Sequence, residues 1–163
     1  ALYISTHQSP WYPGSGAASE VGPREARGGT VNIPFAPGHG DAAYDAIYGG
    51  LLGRVLEQFE PELILASAGF DLMAGDPLGG MHVTPAGIET IARHLTGAAD
   101  RLCNGRLVMA LEGGYDLDNL QRGTRACLDA MREPGPTTLP RFDEDALGDG
   151  RKALRTLRSC YTL

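Results

Sequence analysis

Cysteine is scarce in this 163-residue sequence. Cys103, Cys127 and Cys160 are odd in number, widely spaced and free of any C-x-x-C pair. That spacing argues against a disulfide framework and a thiolate zinc site, and it fits a reducing compartment, read here as the cytoplasm. Long hydrophobic runs are missing too: no stretch approaches the roughly 18 apolar residues of a membrane span, so no membrane partner is expected. Basic charge is in short supply, with 14 Lys and Arg against 20 Asp and Glu and a net charge of -6. The only basic cluster, Arg151, Lys152, Arg155 and Arg158, recurs at helical spacing and reads as a solvated helix face, so direct nucleic-acid binding is not expected. The sequence also has no G-x-G-x-x-G, no P-loop lysine and no G-x-S-x-G nucleophile elbow. His7, His39, His82 and His94 form no H-x-x-x-H pair, and each alone reads as a structural or surface histidine. His94 is expected to face solvent.

Apolar residues, by contrast, are plentiful at 42% and evenly spread. A domain of this size buries roughly 70% of the surface its unfolded chain exposes. The sequence opens on a strand-like run, Ala1-Leu2-Tyr3-Ile4-Ser5-Thr6, without a Met, cap or turn before it. This suggests the C-terminal part of something longer, with a sheet edge open to self-association into a homo-oligomer.

Three β-then-α units follow from periodicity. Thr30-Val31-Asn32-Ile33 reads as a strand closed by Pro34, and Asp41 as the N-cap of a helix carrying Tyr44, Ile47, Tyr48, Leu51, Leu52, Val55, Leu56 and Phe59. Residues 63–66 are apolar without alternation, as in a strand covered on both faces. Thr84 caps a second helix with Pro85 in its first position, and this helix buries Ile88, Ile91, Ala92, Leu95, Ala99 and Leu102. Residues 107–111 form the next strand. A third helix starts near Asp116 or Asp118 and carries Leu117, Leu120, Cys127, Leu128 and Met131 on one stripe. Glu133-Pro134-Gly135-Pro136 breaks the pattern, which divides the chain into residues 1–132 and a linker with a short helix, 133–163. The expected fold is α/β: three layers around a mainly parallel sheet. Ligands of such sheets bind at the strand C-termini.

At those C-termini stand Ser67-Ala68-Gly69-Phe70-Asp71, Glu112-Gly113-Gly114-Tyr115-Asp116, and His7 followed by Trp11-Tyr12-Pro13-Gly14. Asp71 either caps a turn or ligates a metal. Tyr115 is either a core tyrosine or a hydroxyl that donates to an oxyanion.

Together with Gly75-Asp76-Pro77-Leu78-Gly79, Ile4-Ser5-Thr6-His7-Gln8, Tyr12-Pro13-Gly14-Ser15-Gly16 and Val31-Asn32-Ile33-Pro34, these runs resemble the histone deacetylase superfamily. The likeness is nearest to the class II enzymes and to bacterial relatives such as acetylpolyamine amidohydrolases, and it covers residues 1 to about 131. The resemblance implies an arginase/deacetylase-like fold, here an incomplete fragment of the domain, and a zinc-dependent hydrolase that cleaves the amide of acetyl-lysine or a related acetylated amine. It implies Asp71 as one of three Zn2+ ligands and Tyr115 as the oxyanion donor. It places Trp11, Tyr12, Leu78, Gly113 and Gly114 around the acyl-lysine tunnel. Ser5 (hydroxyl) and Thr6 (carbonyl) would belong to a monovalent cation site, usually K+, and Asp76 would orient its own loop. The family's Asp-x-His pair and tandem histidines are not in this sequence, so the missing N-terminal half of the domain is an expected partner and the chain alone is expected to be inactive. The alternatives are a non-catalytic deacetylase-like binding module and an acetylpolyamine amidohydrolase. Leu78 brings no charge to the rim for a second ammonium, which favours acetyl-lysine in a peptide or protein.

Overall fold

The computed structural model describes residues 1–133 and 135–163; Pro134, inside the expected break, lies outside the described residues. Strand β1 (Tyr3–Gln8) pairs in parallel with β2 (Thr30–Phe35), placing Tyr3 opposite Thr30 and Gln8 opposite Phe35. Strand β3 (Ile64–Ala68) pairs in parallel with β4 (Leu107–Leu111), from Ile64 opposite Leu107 to Ala68 opposite Leu111. Parallel strands joined by helices make the fold α/β, as the sequence leads one to expect. Among the described residues the two pairs are not hydrogen-bonded to each other. A cleft of about 660 Å³ separates them, with β1 along one wall and β3 along the other.

Pro34 lies within β2 rather than ending it, opposite His7. β2 is the outer strand of its pair, where a residue without an N–H is tolerated. Beyond β2, α1 (Asp41–Asp45) runs into a π-helical stretch, Ala46–Leu52, and on into α2 (Gly53–Phe59). Ile47, Leu51, Leu52 and Val55 are buried along this helix, as the stripe requires. Asp41 is its first residue, not its cap. The Asp41 carboxylate instead accepts the Thr84 N–H at 2.8 Å and the Thr84 hydroxyl at 2.6 Å. Thr84 in turn caps α3 (Pro85–Cys103), with Pro85 in the first turn. Asp116 caps α4 (Leu117–Arg132) by accepting the Asn119 N–H at 2.8 Å.

The α4 stripe meets the core only in part: Leu120 and Cys127 are half-buried against it, as the sequence reading has them, but Leu117, Leu128 and Met131 are not. The buried residues of α4 are Asn119, Gly123, Ala126 and Ala130. Leu117 is 81% exposed, and Leu128 and Met131 are exposed beside it. Small residues let α4 press against the rest of the molecule, with Gly123 in contact with the Phe70 ring. Leu117 and Leu128 are left outside. One face of the β3–β4 pair is open as well, where Leu65 (71% exposed) sits opposite the exposed Val108. These strands therefore alternate and are not covered on both faces.

The segment after Glu133 packs on the core. Residues 139–142 lie across the glycine face of the π-helical stretch: a Cβ at Gly49 would meet Pro140 at 2.9 Å, and one at Gly50 would meet Phe142 at 2.8 Å. A 3-10 turn (Asp145–Gly150) and α5 (Arg151–Leu157) then bury Leu147, Leu154 and Leu157 in the cluster that holds Val31, Ile33 and Phe35. On the outer side of α5, Arg151, Lys152 and Arg158 pair with Asp145, Asp149 and Glu144. That matches the solvated face read from spacing. No helix among the described residues is long and apolar enough to cross a membrane.

Leu147→Ala should lower the unfolding free energy of the chain by about 2–5 kcal/mol. Leu117→Ala should stay within about 0.5 kcal/mol of the parent. Urea denaturation measures both, and equal losses would contradict the outward placement of Leu117.

Candidate functional site

The parallel register carries both candidate residues to one edge. Past the last rung, Ala68 opposite Leu111, the chains stay laced: Glu112 N–H donates to the Ala68 carbonyl at 3.1 Å and Phe70 N–H to the Gly113 carbonyl at 2.9 Å. Asp71 follows immediately on one side and Tyr115 two residues later on the other. Asp76 is a third link. Its carboxylate is buried, at 6% exposure, and accepts the Leu78 N–H (2.9 Å), the Gly79 N–H (3.0 Å) and, across the gap between loops, the Tyr115 N–H (2.8 Å). Burial alone would raise the Asp76 pKa. The N–H groups of Tyr115, Leu78, Gly79 and Asp116 outweigh that and hold it below the ordinary carboxylate range. Asn119, buried at the start of α4, adds another tie by donating to the Ala74 carbonyl at 3.0 Å. From β1, the Gln8 side chain accepts the Gly80 N–H at 2.7 Å and brings the first strand pair to the same edge.

Asp71 is walled by bare backbone. A Cβ on Gly69 would fall 2.7 Å from its Oδ1 and one on Gly113 2.9 Å away, while one on Gly79 would overlap the Asp71 carbonyl oxygen. Glycine at these positions is thus a steric requirement for the carboxylate to sit where it does. Burial against these walls pushes the Asp71 pKa up, and the Asp76 charge adds to the rise. Tyr44, buried behind the cleft, is also pushed up, first by burial, then by Tyr48 and by the Asp71 charge. Asp71, Gly113, Tyr44, Trp11 and Tyr12 all line the cleft between the strand pairs. Trp11 is exposed at its mouth, and Tyr12 is 93% exposed. Gly114 has φ +122°, a left-handed value that places the chain against Phe70 just before Tyr115. The Tyr115 ring is 57% exposed and stands outside the cleft wall, as does the exposed Leu78.

Ser5 and Thr6 have protein partners here. The Ser5 hydroxyl lies 2.9 Å from His7 Nδ1, and His7 Nε2 lies 3.0 Å from the Gly16 carbonyl. A carbonyl only accepts, so the proton sits on Nε2 and Ser5 donates to Nδ1. The Thr6 hydroxyl pairs with the Tyr48 hydroxyl at 3.0 Å. Among the described residues no three His, Cys, Asp or Glu side chains gather closely enough to hold a metal ion. A catalytic zinc site takes three protein ligands, so Asp71 fits as one member of a set and does not fit as a site by itself.

Three features were out of reach of sequence reasoning. His94 is not solvent-facing: its Nε2 bonds Asp45 Oδ1 at 2.6 Å and its side chain is largely covered, because α1 and α3 pack together. Glu112, quoted only as part of a motif, accepts the Ser67 hydroxyl at 2.7 Å on the cleft wall. Asp76 reaches beyond its own loop to Tyr115. Its Asp-Pro-Leu-Gly setting announces a turn, but nothing in the linear pattern announces the partner 39 positions away.

The first 131 residues match the family model described as the histone deacetylase domain. The protein named Histone deacetylase 10, chloroplastic, from Oryza sativa subsp. japonica is 36% identical over 146 residues, 90% of this chain and 33% of that protein. A probable deacetylase of Archaeoglobus fulgidus is 41% identical over 117 residues, 72% of this chain and 33% of its own length. The crystal structure of the HDA15 HD domain superposes with a TM-score of 0.83 at 33% identity, covering 98% of this chain and 45% of that one. The histone deacetylase Clr3 gives a TM-score of 0.83 at 31% identity, over 99% of this chain and 28% of its own. The chain thus spans about a third of the length of these curated relatives. With a match running from the first strand into the last turn of α4, on a fold shared with deacetylase structures, the chain belongs to the histone deacetylase family.

Proposed function

We propose that this chain supplies the Asp71 and Tyr115 portion of a zinc-dependent deacetylase acting on acetyl-lysine in a peptide or protein. We further propose that a strand from the remaining part of the domain completes the site by entering the cleft between β1 and β3. The observation that carries this reading is the lacing of the loops after β3 and β4, which sets an aspartate and a tyrosine at one sheet edge beside that cleft.

The cleft has the character of a strand slot. Among the described residues each wall is a strand bonded to a partner on its far side only, and Leu2, Ile4, Leu52, Leu56 and Ile91 line the cleft. An apolar strand buried between two others suits such a lining. Gln8, at the C-terminal end of β1, is bonded to Gly80 in the loop that follows β3, so a parallel insert would end beside Asp71. Its following loop would bring the ligands that Asp71 lacks, and the tandem histidines of the remaining part of the domain would supply a general base.

Zinc held there would supply a Lewis acid for the acyl carbonyl and an activated water. The chain's own part is to offer one carboxylate ligand in a glycine-walled recess, and to present the Tyr115 phenol as donor to the developing oxyanion. Trp11 and Tyr12 flank the mouth, where the lysine stem would pass over Gly113 and Gly114. Leu78 gives an apolar rim that offers nothing to the second ammonium of an acetylpolyamine. The Ser5 hydroxyl and the Thr6 carbonyl contribute to a potassium site in the completed domain. The cysteine usage assigns the protein to a reducing compartment, which we take to be the cytoplasm.

Three outcomes are expected. In the protein that includes the Asp-x-His segment, Tyr115→Phe should cut turnover of an acetyl-lysine peptide about 10²- to 10³-fold with zinc content unchanged. Unchanged turnover removes the donor role. Asp71→Ala should strip bound zinc as measured by metal analysis, and full retention removes the ligand role. The 163-residue chain alone, supplied with zinc, should leave the same peptide intact; steady turnover would show that no second segment is required.

A further inference from the structure

Tyr115 presents a mechanical problem. Its ring is more than half exposed, and it follows two glycines, Gly113 and Gly114. A side chain that packs little and hangs from a glycine pair takes its position from whatever holds its backbone. What holds the Tyr115 N–H is the Asp76 carboxylate, at 2.8 Å and nearly inaccessible to water.

The same carboxylate uses its other oxygen on the Leu78 and Gly79 N–H groups. One ionised side chain thus ties together the rim residue Leu78, the wall residue Gly79 and the base of Tyr115. Charge-assisted hydrogen bonds of this kind are roughly twice as strong as neutral ones, and burial keeps water from competing for them. Asn119 closes the frame from α4 by holding the Ala74 carbonyl.

We infer that Asp76 is the positioning residue for the Tyr115 hydroxyl, setting the donor relative to the rim and to Asp71 without touching substrate itself. This rests on the reading of Tyr115 as oxyanion donor. Asp76→Asn keeps the size of the side chain but replaces one accepting oxygen with an N–H2 group, which cannot accept from a backbone N–H. A donor misplaced by about 1 Å can cost on the order of 10²-fold in rate.

The experiment is a double-mutant cycle in the zinc-loaded full-length enzyme with an acetyl-lysine peptide, using Asp76→Asn, Tyr115→Phe and the pair. Asp76→Asn should lower kcat about 10- to 100-fold while KM stays within about threefold and zinc content holds. In the Tyr115→Phe background the same change should cost less than about threefold, because the donor it positions is already gone. Losses that simply multiply, or a loss confined to KM or to zinc, would overturn the positioning role. If Tyr115→Phe alone leaves turnover intact, the donor reading itself has failed, a separate result. Should Asp76→Asn not fold, amide hydrogen exchange on the unaltered enzyme reads the same link. The Tyr115 N–H should then be protected like the β4 amides, and exchange at a free-loop rate would overturn the proposal.

Discussion

Parallel pairing of β3 with β4 is the constraint on which the site depends. In a parallel pair both strands run out at the same edge, and a register fixed at Ala68 opposite Leu111 determines what emerges together. Three residues past Ala68 comes Asp71, and four past Leu111 comes Tyr115. A slip of one strand by one residue would invert its side chains, turning Leu65 or Val108 toward the helices and sending the two following loops out on opposite faces. The hydrogen bond from Phe70 to the Gly113 carbonyl extends the register beyond the strands, so the loops inherit the alignment of the sheet. Asp76 then converts that alignment into fixed positions at the rim.

Much of this was legible in the sequence, for local reasons. Thr84 with Pro85 is a capping arrangement that acts within four residues and stands as read, and of the two acids near which the sequence reading starts the last long helix, Asp116 is the cap. The limits of β4 coincide with the apolar run 107–111 because glycines flank it at 105 and 113. Fold class followed from the order of these elements. The placement of candidate residues after the strands followed from the way parallel sheets bind ligands.

What escaped the sequence depends on neighbours. Periodicity shows which side chains share a face, not what covers that face. Leu117, Leu128 and Met131 share one and lie open, while Ala126 and Ala130 share the other and let α4 pack closely. Leu65 and Val108 look like core residues in a one-dimensional pattern, but among the described residues nothing lies over them. His94 and Asp45, and Asp41 and Thr84, are pairs formed only when α1 meets α3. The separation of the sheet into two pairs, with a cleft between them, is invisible to any local rule.

The account is tested most directly by anomalous diffraction at the zinc absorption edge from crystals of the full-length, metal-loaded protein. It predicts a single strong peak about 2.0–2.2 Å from an Asp71 carboxylate oxygen. A strand lying between β1 and β3 should be visible in the same map. A zinc peak remote from Asp71, with β1 and β3 bonded directly to each other, would contradict it.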